Sequence, residues 1–155
     1  MKKVMFIASG GGHLEELLQL KSLFDLCDYS VISEKTPTTA FLKNRYKNVE
    51  YLLYGTKDHL IPYLIIFPIN ILISFFFFLK YKPDVVVTTG THTAVPMCYI
   101  AHIFKKKVVF IETLANSDNG TKAGKMIYKI ADKFIVQWES MLEVYPDAEY
   151  WGCIF

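Results

Sequence analysis

Six short apolar runs, each about the length of one strand, are separated by helix-length segments, and this alternation limits what the chain can fold into. They lie at about 2–8 (KKVMFIA), 28–33 (DYSVIS), 49–53 (VEYLL), 84–88 (DVVVT), 107–112 (KVVFIE) and 133–137 (KFIVQ). Continuous runs of Val, Ile and Phe, as opposed to strict alternation with polar residues, mark strands covered on both faces. Strands alternating with helices build a parallel α/β sheet. The helices are expected near 13–25, 38–46, 62–80, 93–104, 122–131 and 139–144. The first carries Leu14, Leu17, Leu18 and Phe24, close to the stripe of a helix packed on a sheet. At 155 residues, with no internal repeat, no Gly/Ser linker and no low-complexity tail, the chain reads as one domain, 1–155. The expected fold is a Rossmann-like, doubly wound parallel sheet with helices on both faces.

That architecture locates a site before any motif is considered. Ligands of open parallel sheets bind beyond the carboxyl ends of the strands, where the strand order reverses. In a 3-2-1-4-5 order the reversal lies between the first and fourth strands. The first ends in Ser9-Gly10-Gly11-Gly12-His13 and the fourth in Thr88-Thr89-Gly90-Thr91-His92-Thr93. The fifth brings Glu112 to the same edge. Glycines at a strand-to-helix turn let a ligand approach the backbone, and the helix start favours an anion, most often phosphate. A dinucleotide fingerprint would need glycine at position 15, where Glu15 stands, and no Gly-Lys-Ser/Thr follows to make a P-loop. A tight turn without a ligand would also account for the glycines. His13 falls in the first helical turn, where the dipole disfavours the imidazolium, and a neutral ring suits a general base acting on a sugar hydroxyl. The bland alternative is a histidine that only ties the loop. His92 is a weaker candidate. His102, in AVPMCYIAHIF, reads as a core or interface residue, and Glu112 as a second catalytic candidate or as a cap for the loop after it.

Residues 60–79, LIPYLIIFPINILISFFFFL, contain no charge. An ideal helix of that length reaches ~30 Å, the thickness of a bilayer core. Pro68 and Asn70 are expected to interrupt it and leave a helix from about 69 to 79. A single crossing would also strand the first three strands and the last three on opposite sides of the membrane. The segment is therefore expected to be a buried helix or a monotopic element in the lipid interface. Four consecutive phenylalanines, Phe75, Phe76, Phe77 and Phe78, together with Phe67 and the flanking Lys80 and Lys82, favour membrane contact. The Lys105-Lys106-Lys107 run would assist on an anionic surface or else be a solvated loop.

Composition removes several classes. Apolar residues at 52% exclude disorder, and a net charge of +2 leaves no footprint for nucleic acid. Aromatic residues at 15% are a surplus that must be buried or lie against a partner or membrane. Three widely spaced cysteines fit neither a disulfide framework nor a metal site, so no metal is expected and a reducing compartment is. The apolar stretch after Lys2 and Lys3 is too short for a signal core.

SGGGHLEELLQL, KPDVVVTTGTHTAVP, VVFIETLAN and GKMIYKIADKFIVQWESMLEVYPDAEYWG together resemble the PssD-type proteins of bacterial capsule and exopolysaccharide synthesis. These are relatives of the membrane-anchored acceptor subunit of the eukaryotic lipid-linked N-acetylglucosaminyltransferase. More distantly, the pattern is similar to the N-terminal half of MurG, a GT-B glycosyltransferase. The resemblance covers essentially the whole chain. It implies the acceptor-side half of a GT-B enzyme, the nucleotide-sugar half being a second, PssE-type polypeptide. On this resemblance Ser9, Gly10, Gly11, Gly12, Thr89, Gly90 and Thr91 would face the acceptor diphosphate. His13 would be the base, with Glu112 beside it. The chain would be a glycosyltransferase subunit, inverting and without a cofactor or metal. It would act on a polyprenyl-diphosphate-linked sugar with a UDP-sugar donor, at the cytoplasmic face of the plasma membrane. After Ala115 the sequence departs from those relatives, and only Gly124 and Lys125 keep their pattern. Two other readings follow from the residues: a non-catalytic anchor and activator of the partner, and a free-standing nucleotide-binding reductase, which the failed glycine spacing disfavours.

Overall fold

A computed structural model of the chain describes residues 1–55 and 60–155, with side chains described from residue 64 onward in the second stretch. Seven strands, β1 (Lys3–Ile7), β2 (Asp28–Glu34), β3 (Val49–Leu52), β4 (Val85–Thr88), β5 (Lys107–Ile111), β6 (Lys133–Val136) and β7 (Glu149–Tyr150), form one sheet. Its order is β3-β2-β1-β4-β5-β6-β7, parallel throughout. The reversal falls between β1 and β4, as expected. Ile7 stands opposite both Ile32 of β2 and Thr88 of β4, so the strand ends that feed the loops lie level. β7 escapes the sequence reading because two residues are too few to show a period.

Strand side chains alternate between two cores. Met5, Ile7, Ile32, Val86, Val108, Phe110, Phe134 and Val136 face one side, and Phe6, Ala8, Val31, Val87, Ile111 and Ile135 face the other. The first side is covered by α3 (Leu60–Tyr81), α4 (Val95–Ile103) and α5 (Lys122–Ile127). The second is covered by α1 (Gly12–Gln19), a 3₁₀ stretch over Leu20–Leu26 and the short α2 (Leu42–Arg45). The single helix expected over 13–25 is thus α1 followed by a tighter 3₁₀ stretch that still buries Phe24.

α3 corrects two expectations. It runs unbroken through Pro68, although a proline ring removes one backbone donor and crowds the preceding turn. Asn70 is not a breaker either. Its Oδ1 accepts from the Leu53 N–H at 2.9 Å and its Nδ2 donates to the Leu53 carbonyl at 2.8 Å, the pairing a neighbouring strand would offer. One 7% exposed amide therefore docks the helix on the chain leaving β3. Further along, Phe77 and Phe78 are 7% and 4% exposed and belong to the core, contrary to their expected place at a membrane. Phe78 packs on Phe104 with ring centroids 5.1 Å apart. Phe75 and Phe76 are exposed and Phe67 is half-buried.

Only 22% of the stretch Leu64–Tyr81 is buried. By length and composition it is apolar enough to cross a membrane, but β1 pairs directly with β4 and the two flank α3 in sequence. A crossing would break that pairing. Leu64, Ile65, Leu72, Phe76 and Leu79 form an outward apolar face, continued by Tyr99, Ile103 and Phe104 of α4 and its end. A patch of this kind is uncommon on a solvated monomer. His102 is exposed, so of the two expected places, core or interface, the core is excluded. Lys106 and Lys107 are engaged by Asp84 and Asp132, so the lysine run is largely occupied with structural ion pairs.

Replacing Asn70 by leucine leaves both Leu53 backbone groups without their partner. Equilibrium unfolding in mild detergent should show a loss of about 1–3 kcal/mol. Asn70→Asp, which keeps the acceptor and turns the donor into a second acceptor, should lose at least as much.

Candidate functional site: the crevice between β1 and β4

Beyond Ile7 and Thr88 the two chains stay together, the Ser9 N–H donating to the Gly90 carbonyl at 3.4 Å. Gly11 then caps α1 with φ 73° and ψ −145°, a backbone conformation that effectively requires glycine. A Cβ at Gly11 or Gly12 would meet nothing within 4 Å, so the turn opens outward. The first bond of the helix runs from the Glu15 N–H to the Gly11 carbonyl at 3.1 Å, and no side chain caps the start. The N–H groups of Gly12, His13 and Leu14 precede that bond and form the electropositive end of α1.

His13 is fixed by Thr89 twice over. Its Nδ1 lies 2.8 Å from the Thr89 carbonyl, and Thr89 Oγ1 donates to the His13 carbonyl at 2.6 Å. A carbonyl only accepts, so Nδ1 carries the proton and Nε2 is left as the basic nitrogen of the neutral ring. Gly90 makes room for this: with φ 101°, it would place a Cβ only 3.2 Å from His13 Nδ1. The ring lines a pocket of about 150 Å³ with Gly90, Thr91, His92, Thr121 and Lys122. Among the described residues no carboxylate lines that pocket, whereas two histidines and a lysine do.

The expected phosphate-facing set divides in two. Gly11 and Gly12 are exposed, and Gly10 and Thr91 are half-buried at the crevice. Ser9 and Thr89 are 7% and 1% exposed, and the Thr89 hydroxyl is spent on His13.

Glu112 lies behind this crevice and its carboxylate is fully engaged. It accepts from the Thr113 N–H at 3.1 Å, the Thr121 N–H at 3.1 Å, the Thr121 hydroxyl at 2.9 Å and the Tyr145 hydroxyl at 3.0 Å. With its acceptor sites filled it serves as a clamp on the loop before α5. Burial, reinforced by the neighbouring Glu112 carboxylate, pushes the Tyr145 hydroxyl far above the ordinary tyrosine range, so it remains a donor. Two glycines lie against this pair: a Cβ at Gly120 would fall 2.0 Å from Tyr145 Oη, and one at Gly124 2.2 Å from Glu112 Oε2.

Sequence reasoning missed Glu16. It is 5% exposed on the sheet-facing side of α1, where it accepts from the Thr113 hydroxyl at 2.7 Å, the Leu114 N–H at 3.1 Å and Gln137 Nε2 at 3.2 Å. It ties the first turns of α1, and so His13, to β5 and β6. The available signal was a charged residue set between Leu14 and Leu17, within the apolar stripe.

Gly124→Ala forces a methyl group into the Glu112 carboxylate. Thermal or denaturant unfolding should register a loss of about 1–3 kcal/mol, the usual range for overpacking. Gly90→Ala should leave a folded chain with a displaced His13, visible as a changed histidine ring resonance.

Comparisons with known proteins bear on the fold and the family. A family model described as "Oligosaccharide biosynthesis protein Alg14 like" matches residues 58–154. The chain is 27% identical over 174 residues to the "UDP-N-acetylglucosamine transferase subunit ALG14" of Candida albicans, covering 98% of this chain and 78% of that protein. The human protein of the same name is 35% identical over 81 residues, or 48% of this chain and 38% of that one. Among solved structures, MurG of Acinetobacter baumannii superposes with a TM-score of 0.78 at 18% identity, over 97% of this chain and 45% of MurG. UDP-N-acetylglucosamine 2-epimerase from Rickettsia bellii gives 0.74 at 19% identity, over 99% of this chain and 45% of the epimerase. At such identity these two show the fold alone, and the chain spans less than half of either. Because the family model matches more than half of its residues, the chain belongs to the Alg14-like family of oligosaccharide biosynthesis proteins.

Proposed function

We propose that this chain is the acceptor-side, membrane-associated subunit of a two-chain glycosyltransferase. A PssE-type partner would bind the UDP-sugar, and the acceptor would be a polyprenyl-diphosphate-linked sugar of capsular or exopolysaccharide synthesis. The single observation that carries this reading is the fixed tautomer of His13: Nδ1 donates to Thr89, so Nε2 can take a proton beside an uncapped helix start. The family and the names of its members, each a transferase subunit, support the division of labour.

In this mechanism the acceptor diphosphate sits at the N–H groups that open α1, with Gly11 and Gly12 allowing close approach. His13 Nε2 takes the proton from the attacking hydroxyl while that oxygen displaces the nucleotide from the anomeric carbon, with inversion. The residues called on here need no metal or cofactor. The whole stretch 1–155 acts as one acceptor domain. Its outward apolar face, with Phe75 and Phe76, lies in the lipid interface on the cytoplasmic side of the plasma membrane as a peripheral or monotopic element. If His13 serves only to tie the loop, the chain is an anchor and activator, a reading favoured by the inward turn of Ser9 and Thr89.

A transfer assay in membranes, with radiolabelled UDP-N-acetylglucosamine and lipid-diphosphate acceptors, separates these. Activity should require both chains, and His13→Ala should lower the rate by ~10²–10⁴-fold. Full activity from this chain alone overturns the two-chain reading. Activity that needs both chains and ignores His13 assigns this chain the anchoring role. In a separate flotation assay, Leu72→Lys with Phe76→Lys, at positions 70% and 60% exposed, should release the folded chain from liposomes at physiological salt.

A further inference from the structure

On the β2 side of the glycine turn lies a groove of about 510 Å³ that the mechanism above leaves empty of any role. Gly10 and Gly11 form one wall, and Glu34, Lys35, Thr38 and Tyr54 face them. Its volume is in the range of small-molecule sites.

Glu34, the last residue of β2, is the unusual member. It is 5% exposed, and its Oε1 accepts from the Thr93 hydroxyl at 2.5 Å. Among the described residues no lysine, arginine or histidine forms an ion pair with it, and no group of three metal-ligating side chains includes it. A carboxylate has about four acceptor sites. One hydroxyl therefore leaves acceptor capacity on a buried anion that lines an open groove, an arrangement that is costly unless donors arrive.

The occupant follows from that chemistry. A diphosphate beside Glu34 would be repelled, and a prenyl chain would leave the carboxylate unpaired. Sugar hydroxyls would satisfy it. The surroundings suit a sugar as well. Tyr54, 54% exposed, offers a ring face at the mouth, Lys35 adds a donor, and the Thr36 and Thr38 hydroxyls lie 2.9 Å apart on the same wall. The groove also adjoins the glycine turn, with His13 three residues beyond Gly10 on its other side.

We infer that this groove is the saccharide subsite of the acceptor, with Glu34 receiving sugar hydroxyl hydrogens and Tyr54 covering the ring. The inference rests on the acceptor-side reading above. It places the diphosphate at the start of α1 and the sugar toward β2, with the sugar's reactive hydroxyl reaching back over the turn to His13.

The test is equilibrium binding to the full chain in lipid nanodiscs, with three probes: farnesyl diphospho-N-acetylglucosamine, farnesyl diphosphate and UDP-N-acetylglucosamine. Glu34→Gln retains an acceptor for Thr93. It should weaken the glycosylated lipid by about 10-fold or more, the usual loss of a hydrogen bond to a charged group, and leave farnesyl diphosphate unchanged. Tyr54→Ala, on the surface, should weaken the same probe selectively and carries the test if Glu34→Gln folds poorly. Equal losses on both lipid probes, or none on either, overturn the saccharide subsite while leaving the acceptor-side reading standing. Selective loss of UDP-N-acetylglucosamine instead would make the groove a donor site and overturn it. If neither lipid probe binds the wild-type chain, the acceptor-side reading and the subsite fall together.

Discussion

Everything in the crevice depends on β1 lying directly beside β4. The two strands are separated in sequence by some eighty residues and by the whole of α3, yet Ile7 stands opposite Thr88 in a parallel ladder. That register brings Ser9 to Gly90 and His13 to Thr89, and these contacts turn two glycine loops into one site. The same pairing fixes the relation of the greasy helix to a membrane. Because β1–β3 and β4–β7 share a sheet, α3 covers it and leaves part of its apolar surface outward.

Among the described residues, the loops of this edge are held by carboxylates that form no ion pair. Glu16, Glu34 and Glu112 are 5%, 5% and 1% exposed, and all three are bound by hydroxyls, an amide or backbone N–H groups. Glu16 and Glu112 hold loop backbone N–H groups with charge-assisted bonds, which are stronger than neutral ones. Glu112 is saturated and Glu16 accepts three bonds, and each fastens one side of the His13 pocket: Glu112 the loop that carries Thr121, Glu16 the helix that carries His13 itself. Glu112 also requires glycine at position 124, since any side chain there would strike the carboxylate.

The sheet was legible because its strands are buried on both faces, so Val, Ile and Phe run without interruption and mark themselves. Taken with the 3-2-1-4-5 order usual for such sheets, that reading brought His13 to the Thr89–Thr91 loop. What sequence could not convey were orientations within an all-apolar segment. Four consecutive phenylalanines have no period, so nothing distinguished Phe77 and Phe78, which enter the core, from Phe75 and Phe76, which do not. Asn70 misled for a related reason: in one dimension a polar residue in an apolar run suggests an interruption, whereas in three it supplies the amide that the end of β3 needs. Glu16 and Thr89 were misjudged because their partners lie about a hundred and about seventy-five residues away in sequence, beyond any local pattern.

The direction of α3 sets how a lipid-borne substrate would meet the crevice. The helix leaves the carboxyl end of β3 and returns to the amino end of β4, so it runs antiparallel to the strands on the sheet's α3–α5 side. Laid along the lipid interface through Leu64, Ile65, Leu72 and Phe76, it sets the strands roughly parallel to the membrane surface. The carboxyl edge, with the glycine turn and His13, then faces sideways along the membrane and not away from it. A diphosphate at headgroup depth would reach the start of α1 by lateral diffusion, without its prenyl chain leaving the bilayer. The crevice lies at the carboxyl edge of the sheet, where a donor-bearing partner would approach on the proposed reading. On the proposed acceptor-side reading, a helix lying in the lipid interface would bring a membrane-borne acceptor to His13 along this one edge.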